Sequence, residues 1–182
     1  MEQENKIKHF TVVGNAINFG LILGVSMIIA ELLLYILNVS TDKVARYSNM
    51  LLIVTGIIIG ILNFKKNRNG NISYGQSLGT GVLIGLFASI LVSVYTFIFY
   101  KFIDPGMIEV LLRKAEEQML EKNPTLTDDQ IELAMSYTRK FMTPIWMSIS
   151  SIFGLTFISF IASLLISIFT KKTDKSFESN FK

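Results

Sequence analysis

The sequence has no cysteine, a single histidine and little charge: 17% of its 182 residues are Asp, Glu, Lys or Arg, against about a quarter in an ordinary soluble domain. Without cysteine there is no disulfide, no thiolate nucleophile and no Cys-ligated metal, though the compartment stays open. The lone His9 lies at the far N-terminus, well away from the acids gathered between 116 and 129. No H-E-x-x-H, G-x-S-x-G or phosphate-binding Gly-rich loop occurs, and no pair of aspartates falls inside an apolar run, so the expectation is a protein that is not an enzyme, with no cofactor and no metal. Internal repeats and low-complexity tracts are also missing.

What is present is apolar sequence in blocks. Apolar residues make up 51% of the chain, and they gather into runs near 11–37, 47–64, 77–102 and 145–170. A hydrocarbon core of roughly 30 Å needs about 20 such residues as a helix. A membrane strand would alternate polar and apolar and need only about 10, so these runs predict helices. The expected fold is all-α, an integral membrane four-helix bundle forming one membrane domain over 1–182. The second run is the shortest. The first is longer than a signal-peptide core and lacks a small-x-small cleavage site, so it reads as an uncleaved anchor.

Both termini of a four-span chain fall on one side. Lys6, Lys8, Lys65, Lys66, Arg68, Lys171, Lys172, Lys175 and Lys182 share the side of the termini, nine bases against eight on the other. The positive-inside rule weights bases that abut spans. Lys65, Lys66, Arg68, Lys171 and Lys172 do so, whereas Lys43, Arg46 and Lys101 stand against them and Arg113, Lys114 and Lys122 sit among acids in a long loop. The expectation is cytoplasmic N- and C-termini in an inner (plasma) membrane.

Turn and cap signals organise the rest. Asn69-Gly70-Asn71 marks a tight connection between spans two and three. Asp104-Pro105 reads as a helix cap followed by a first-position proline. Lys122-Asn123-Pro124 ends that helix, and Thr127-Asp128-Asp129-Gln130 is a capping box opening another. Thr143-Pro144 then starts span four. An amphipathic helical hairpin over 104–142 is therefore expected between spans three and four, with Met107, Leu111, Met119, Ile131 and Met135 as a candidate partner surface.

Several residues admit two readings. Glu31 is the only charge well inside a span; it is either a proton, cation or solute site, with Asn15 and Asn18 as polar companions, or a carboxyl that bonds a neighbouring helix. Asn18 and Glu31 are more than three turns apart, so interhelical hydrogen bonding suits the asparagines, Asn63 included. Gly20/Gly24, Gly56/Gly60, Gly75/Gly79 and Gly81/Gly85 are small-xxx-small pairs that let helices approach closely, within one chain or between copies. Ser148, Ser150, Ser151 and Gly154 fit the same account. Tyr95, Tyr100 and Trp146 suit an aromatic belt. Glu116, Glu117, Glu121, Asp128 and Asp129 read as a solvated helix face.

The stretch Gly70–Lys114, "GNISYGQSLGTGVLIGLFASILVSVYTFIFYKFIDPGMIEVLLRK", together with Glu31, the "EEQMLEKNPTLTDDQIELAMSYTRKFMTP" segment and a fourth span ending in Lys171-Lys172, resembles a Bacteroidetes-type inner-membrane family known as domain of unknown function 4199. Ser73-Tyr74-Gly75-Gln76 and Phe102-Ile103-Asp104-Pro105 are the most distinctive pieces. The resemblance implies a four-span membrane protein and supplies no activity or site residue. The expected role is an accessory, assembly or scaffold subunit acting through an extracytoplasmic hairpin, with the lipid bilayer, a protein partner or a second copy as partners and no nucleic acid. The alternative is a solute or ion pathway through an oligomer that uses Glu31.

Overall fold

A computed structural model describes residues 11–40 and 43–171, with the side chains of all but 43–46. Lys6, Lys8, His9, Lys172, Lys175 and Lys182 lie outside the described residues, as do the side chains of Lys43 and Arg46. Among the described residues six α-helices follow one another: α1 (Val12–Ile36), α2 (Lys43–Lys66), α3 (Tyr74–Ile98), α4 (Met107–Lys122), α5 (Asp128–Phe141) and α6 (Pro144–Thr170). A π-helical turn, Phe99–Ile103, extends α3. No strand occurs among the described residues.

Among the described residues four helical stretches are long and apolar enough to cross a membrane: Val12–Ile36, Tyr47–Lys66, Tyr74–Ile103 and Pro144–Thr170. At 1.5 Å per residue they measure about 37, 30, 45 and 40 Å, so each matches or exceeds the hydrocarbon thickness. The chain is an all-α membrane protein, as the apolar blocks predict.

Local chemistry fixes the ends. Thr11 caps α1, its Oγ1 accepting from Gly14 N at 3.0 Å. Between α2 and α3 the chain reverses with Asn69 at φ 53° and Gly70 at φ 82°, left-handed values that glycine adopts without a Cβ clash. Ser73 and Gln76 then bond reciprocally: Gln76 N donates to Ser73 Oγ at 3.2 Å and Ser73 N to Gln76 Oε1 at 3.1 Å. That is a second capping box, which explains why helix three begins at Tyr74 rather than at Ser77. Asp104 Oδ1 accepts from Met107 N at 3.2 Å as a cap should. The first turn after it is tight, with Met107 N bonded to Asp104 O and Ile108 N to Pro105 O, so regular helix starts at Met107. The Thr127/Gln130 box opens α5 as expected, and Thr143 Oγ1 accepts from Trp146 N at 3.5 Å to start α6.

Contacts divide the chain into two compact units. One runs up to Leu91 and resumes at Phe153; the other is Val92–Ile152. In the first unit small residues set the helix spacing. A Cβ on Gly20 would stand 2.6 Å from Phe87 Cβ and 2.9 Å from Ile84 O, and one on Gly56 would stand 2.8 Å from Leu23 Cδ1. Gly24 faces Ala88 and Leu91, and Gly60 faces Phe19 and Ile84. Such close approach gains van der Waals contact where lipid offers no hydrophobic drive.

The α3–α6 seam carries the same logic with serine. Gly81 and Gly85 lie against Ser163 and Ser159, and both serines are fully buried. Among the described residues neither hydroxyl has a hydrogen-bond partner; serine serves here for its size. Below and above them the seam is bonded: Ser77 Oγ and Thr170 Oγ1 are 2.7 Å apart, Ser167 Oγ donates to Ser77 Oγ at 3.0 Å, and Ser89 and Thr156 meet at 3.2 Å.

In the second unit α4 and α5, joined through 123–127, pack on each other. Leu112 and Met135 are their buried residues. The π turn is closed by Asp104 N donating to Phe99 O at 2.9 Å. It seats buried Phe99 between Tyr95 and Tyr100, with ring centroids 5.7 and 5.3 Å away.

Candidate functional site

The structure does not bring the intramembrane polar candidates together. Asn15 is buried, donates through Nδ2 to Gly60 O at 3.0 Å and accepts from Asn63 Nδ2 at 2.9 Å. It is an interhelical clamp between α1 and α2, worth about 1 kcal/mol in lipid. Asn18, one turn on, is exposed. Glu31 is half-buried and forms no hydrogen bond among the described residues. Sixteen residues of helix, about 24 Å, separate it from Asn15, so these three residues form no common site.

The glycine candidates divide. Gly20, Gly24, Gly56, Gly60, Gly81 and Gly85 all abut a neighbouring helix. Gly75 and Gly79 face open space, as does Gly154, so their spacing carries no close approach. Ser148 and Ser151 bond carbonyls of their own helix, Pro144 O and Ser148 O, at 2.7 Å. The interhelical serines of α6 are instead Ser159, Ser163 and Ser167. A four-residue period starting at Ser159 and facing Ser77–Gly81–Gly85–Ser89 was the signal available for them.

At the end of this seam Lys65 reaches across, its Nζ donating to Thr170 O at 2.9 Å. An ammonium at the last carbonyls of α6 satisfies an orphan acceptor and complements the helix dipole. Arg68 lies 5.9 Å from the Phe64 ring centroid.

A well-formed concave feature lies in the helical pair. A groove of about 660 Å³ runs between α4 and α5. Glu116, Asp128, Glu132 and Arg139 line it with Leu120, Ile131, Met135 and Ser136. Three carboxylates thus stand against one guanidinium over an apolar floor. The antiparallel return of α5 produces this: a reversal centred near Leu126 brings Glu116 into one groove with Asp128, Ile131 and Arg139, which a linear reading keeps apart. Glu116 and Asp128, read from sequence as solvated face, therefore converge with Glu132, which sequence reasoning passed over. No three of the described His, Cys, Asp and Glu side chains stand close enough to hold a metal ion.

Of the candidate partner surface, Ile131 and Met135 form the groove floor, Met135 being buried. Met107, Leu111 and Met119 are half-buried. The apolar side chains left open on α5 are others: Leu133, Tyr137 and Phe141. Phe141 meets Trp146 edge-on at 5.9 Å.

Fold and site together define a multi-pass helical membrane protein in which a grooved amphipathic helix pair separates spans three and four. The chain belongs to the family described as Protein of unknown function (DUF4199), which matches residues 18–172. That match takes in all of the groove, the α3–α6 seam and most of α1. No curated protein and no solved structure matches the chain.

Proposed function

We propose that the protein is a non-enzymatic accessory or scaffold subunit of a bacterial inner membrane, with cytoplasmic termini, that holds a partner protein in the groove between α4 and α5 on the extracytoplasmic side. The observation that carries this reading is the composition of the groove, with Glu116, Asp128 and Glu132 set around Ile131 and Met135. An apolar floor gives contact area, and a surplus of carboxylates at the rim selects a segment bearing Lys or Arg. Among the described residues the first two spans carry smaller, apolar hollows of about 170 and 340 Å³, with no charged lining, and Asn15 is spent on its neighbours.

The test is photo-crosslinking in native membranes from position 136, at the groove edge. A defined partner should crosslink to the otherwise unchanged chain. The charge reversals Glu116→Lys and Glu132→Lys together should reduce that adduct about tenfold or more, the loss of two close charge pairs, while the membrane level of the protein stays unchanged. An adduct indifferent to both reversals, or a chain that crosslinks to nothing, refutes the groove reading.

A further inference from the structure

On α5 three of the groove residues are followed two positions later by an exposed apolar one: Ile131 by Leu133, Met135 by Tyr137, Arg139 by Phe141. Two residues turn an α-helix by about 200°, so the apolar stripe lies opposite the groove. Leu133, Tyr137 and Phe141 are 60%, 56% and 61% exposed, while Met135 on the other side is 6% exposed. Nothing in the helical pair covers this stripe.

Its position along the chain says what does. The span Pro144–Thr170 has 27 residues, or about 40 Å of helix against roughly 30 Å of hydrocarbon, which leaves its first three or so residues at headgroup depth. Phe141 precedes Pro144 by three residues, so its Cα is held within about 11 Å of that level. Tyr137 is one turn, about 6 Å, further along. Phe141 and Trp146 touch through their rings, and Ile145 and Trp146 are themselves exposed, so the stripe runs on without a break onto the exposed first turn of α6. Lys140 flanks it, with its ammonium 5.3 Å from the Tyr137 ring centroid, an apolar stem and cationic tip suited to lipid phosphate.

We infer that the Leu133–Tyr137–Phe141 face of α5 is a lipid-binding surface lying in the headgroup–acyl boundary, with Lys140 directed at lipid phosphates and the groove turned away from the membrane. Interfacial helices of this kind sink about 5–10 Å into that boundary. The inference stands apart from the groove reading, since it requires only that α6 spans the bilayer.

Trp146 is the sole tryptophan, which makes a direct test available. The full chain carrying Trp146→Phe and Tyr137→Trp is reconstituted in phosphatidylcholine–phosphatidylglycerol vesicles containing lipid spin-labelled near the headgroup end of its acyl chain. The indole at position 137 should lose as much emission to the labelled lipid as Trp146 does in the unsubstituted chain, and should be shielded from aqueous acrylamide. An indole placed on the groove side by Glu132→Trp in the same background should show the reverse. If Tyr137→Trp accumulates poorly, Leu133→Trp serves identically. Acrylamide quenching at 137 without lipid quenching overturns the inference. So does protection from both quenchers, which would mean that protein covers the stripe.

Discussion

At the scale of single residues, glycines of identical spacing have opposite consequences. Gly20 has Phe87 and the Ile84 carbonyl within 3 Å of where its Cβ would stand, whereas Gly79 has nothing within 4 Å. Gly20→Ala should therefore force α1 and α3 apart and cost about 1–3 kcal/mol, as overpacking does. Gly79→Ala should be neutral or stabilising by up to about 1 kcal/mol, through reduced backbone entropy of the unfolded chain. The midpoint of thermal aggregation in mild detergent separates the two; equal losses would contradict the packing described here. Sequence spacing alone cannot make this distinction, because a small-xxx-small pair marks a helix face without saying what lies across from it. The same limit explains Ser159 and Ser163, which are visible only once α3 supplies the glycines opposite. Asn15 and Asn63, by contrast, were legible as interhelical partners, since an amide in an apolar run must bond something.

At the scale of elements, the starts of helices were the most readable feature where a cap and a first-turn residue occur together. Thr127 with Gln130 and Thr143 with Pro144 were found that way, and Asp104 caps its helix after one tight turn. Ser73 with Gln76 is chemically the same device as Thr127 with Gln130, yet the polar run before it hid the helix start. Ser73→Ala should cost about 0.5–2 kcal/mol locally. Amide exchange over Tyr74–Gln76 should then quicken by roughly 2–30-fold, with the first turn of α5 serving as an internal reference. Exchange unchanged at α3 would mean that packing of buried Ile72, not the cap, holds that turn. The π turn at Phe99–Ile103 had no local signal. It arises because an extra residue per turn lets Phe99 point inward between two tyrosines, and π turns of this kind depend on such tertiary demands.

At the scale of the whole molecule, four spans would put both termini on one side, and the proposed function makes that side the cytoplasm, on the strength of the bases beside Phe64 and Thr170. A fluorescent reporter that matures only in the cytoplasm, fused after Lys182, should light up; a periplasm-dependent phosphatase fused there should stay inactive. The reverse pattern would also place the groove on the cytoplasmic face and move its partner with it. The hydrogen bond from Lys65 to the carbonyl of Thr170 has a further bearing, on the order of assembly. Its two ends lie 105 residues apart in the chain, and at about 5–20 residues per second of synthesis some 5–20 s pass between their emergence. Later in that interval α1, α2 and α3 have all emerged while the Ser77–Gly81–Gly85–Ser89 flank stays open, and Lys65 has no Thr170 carbonyl to meet. Span four is thus the closing piece: its arrival seals the open flank and supplies the carbonyl that Lys65 meets.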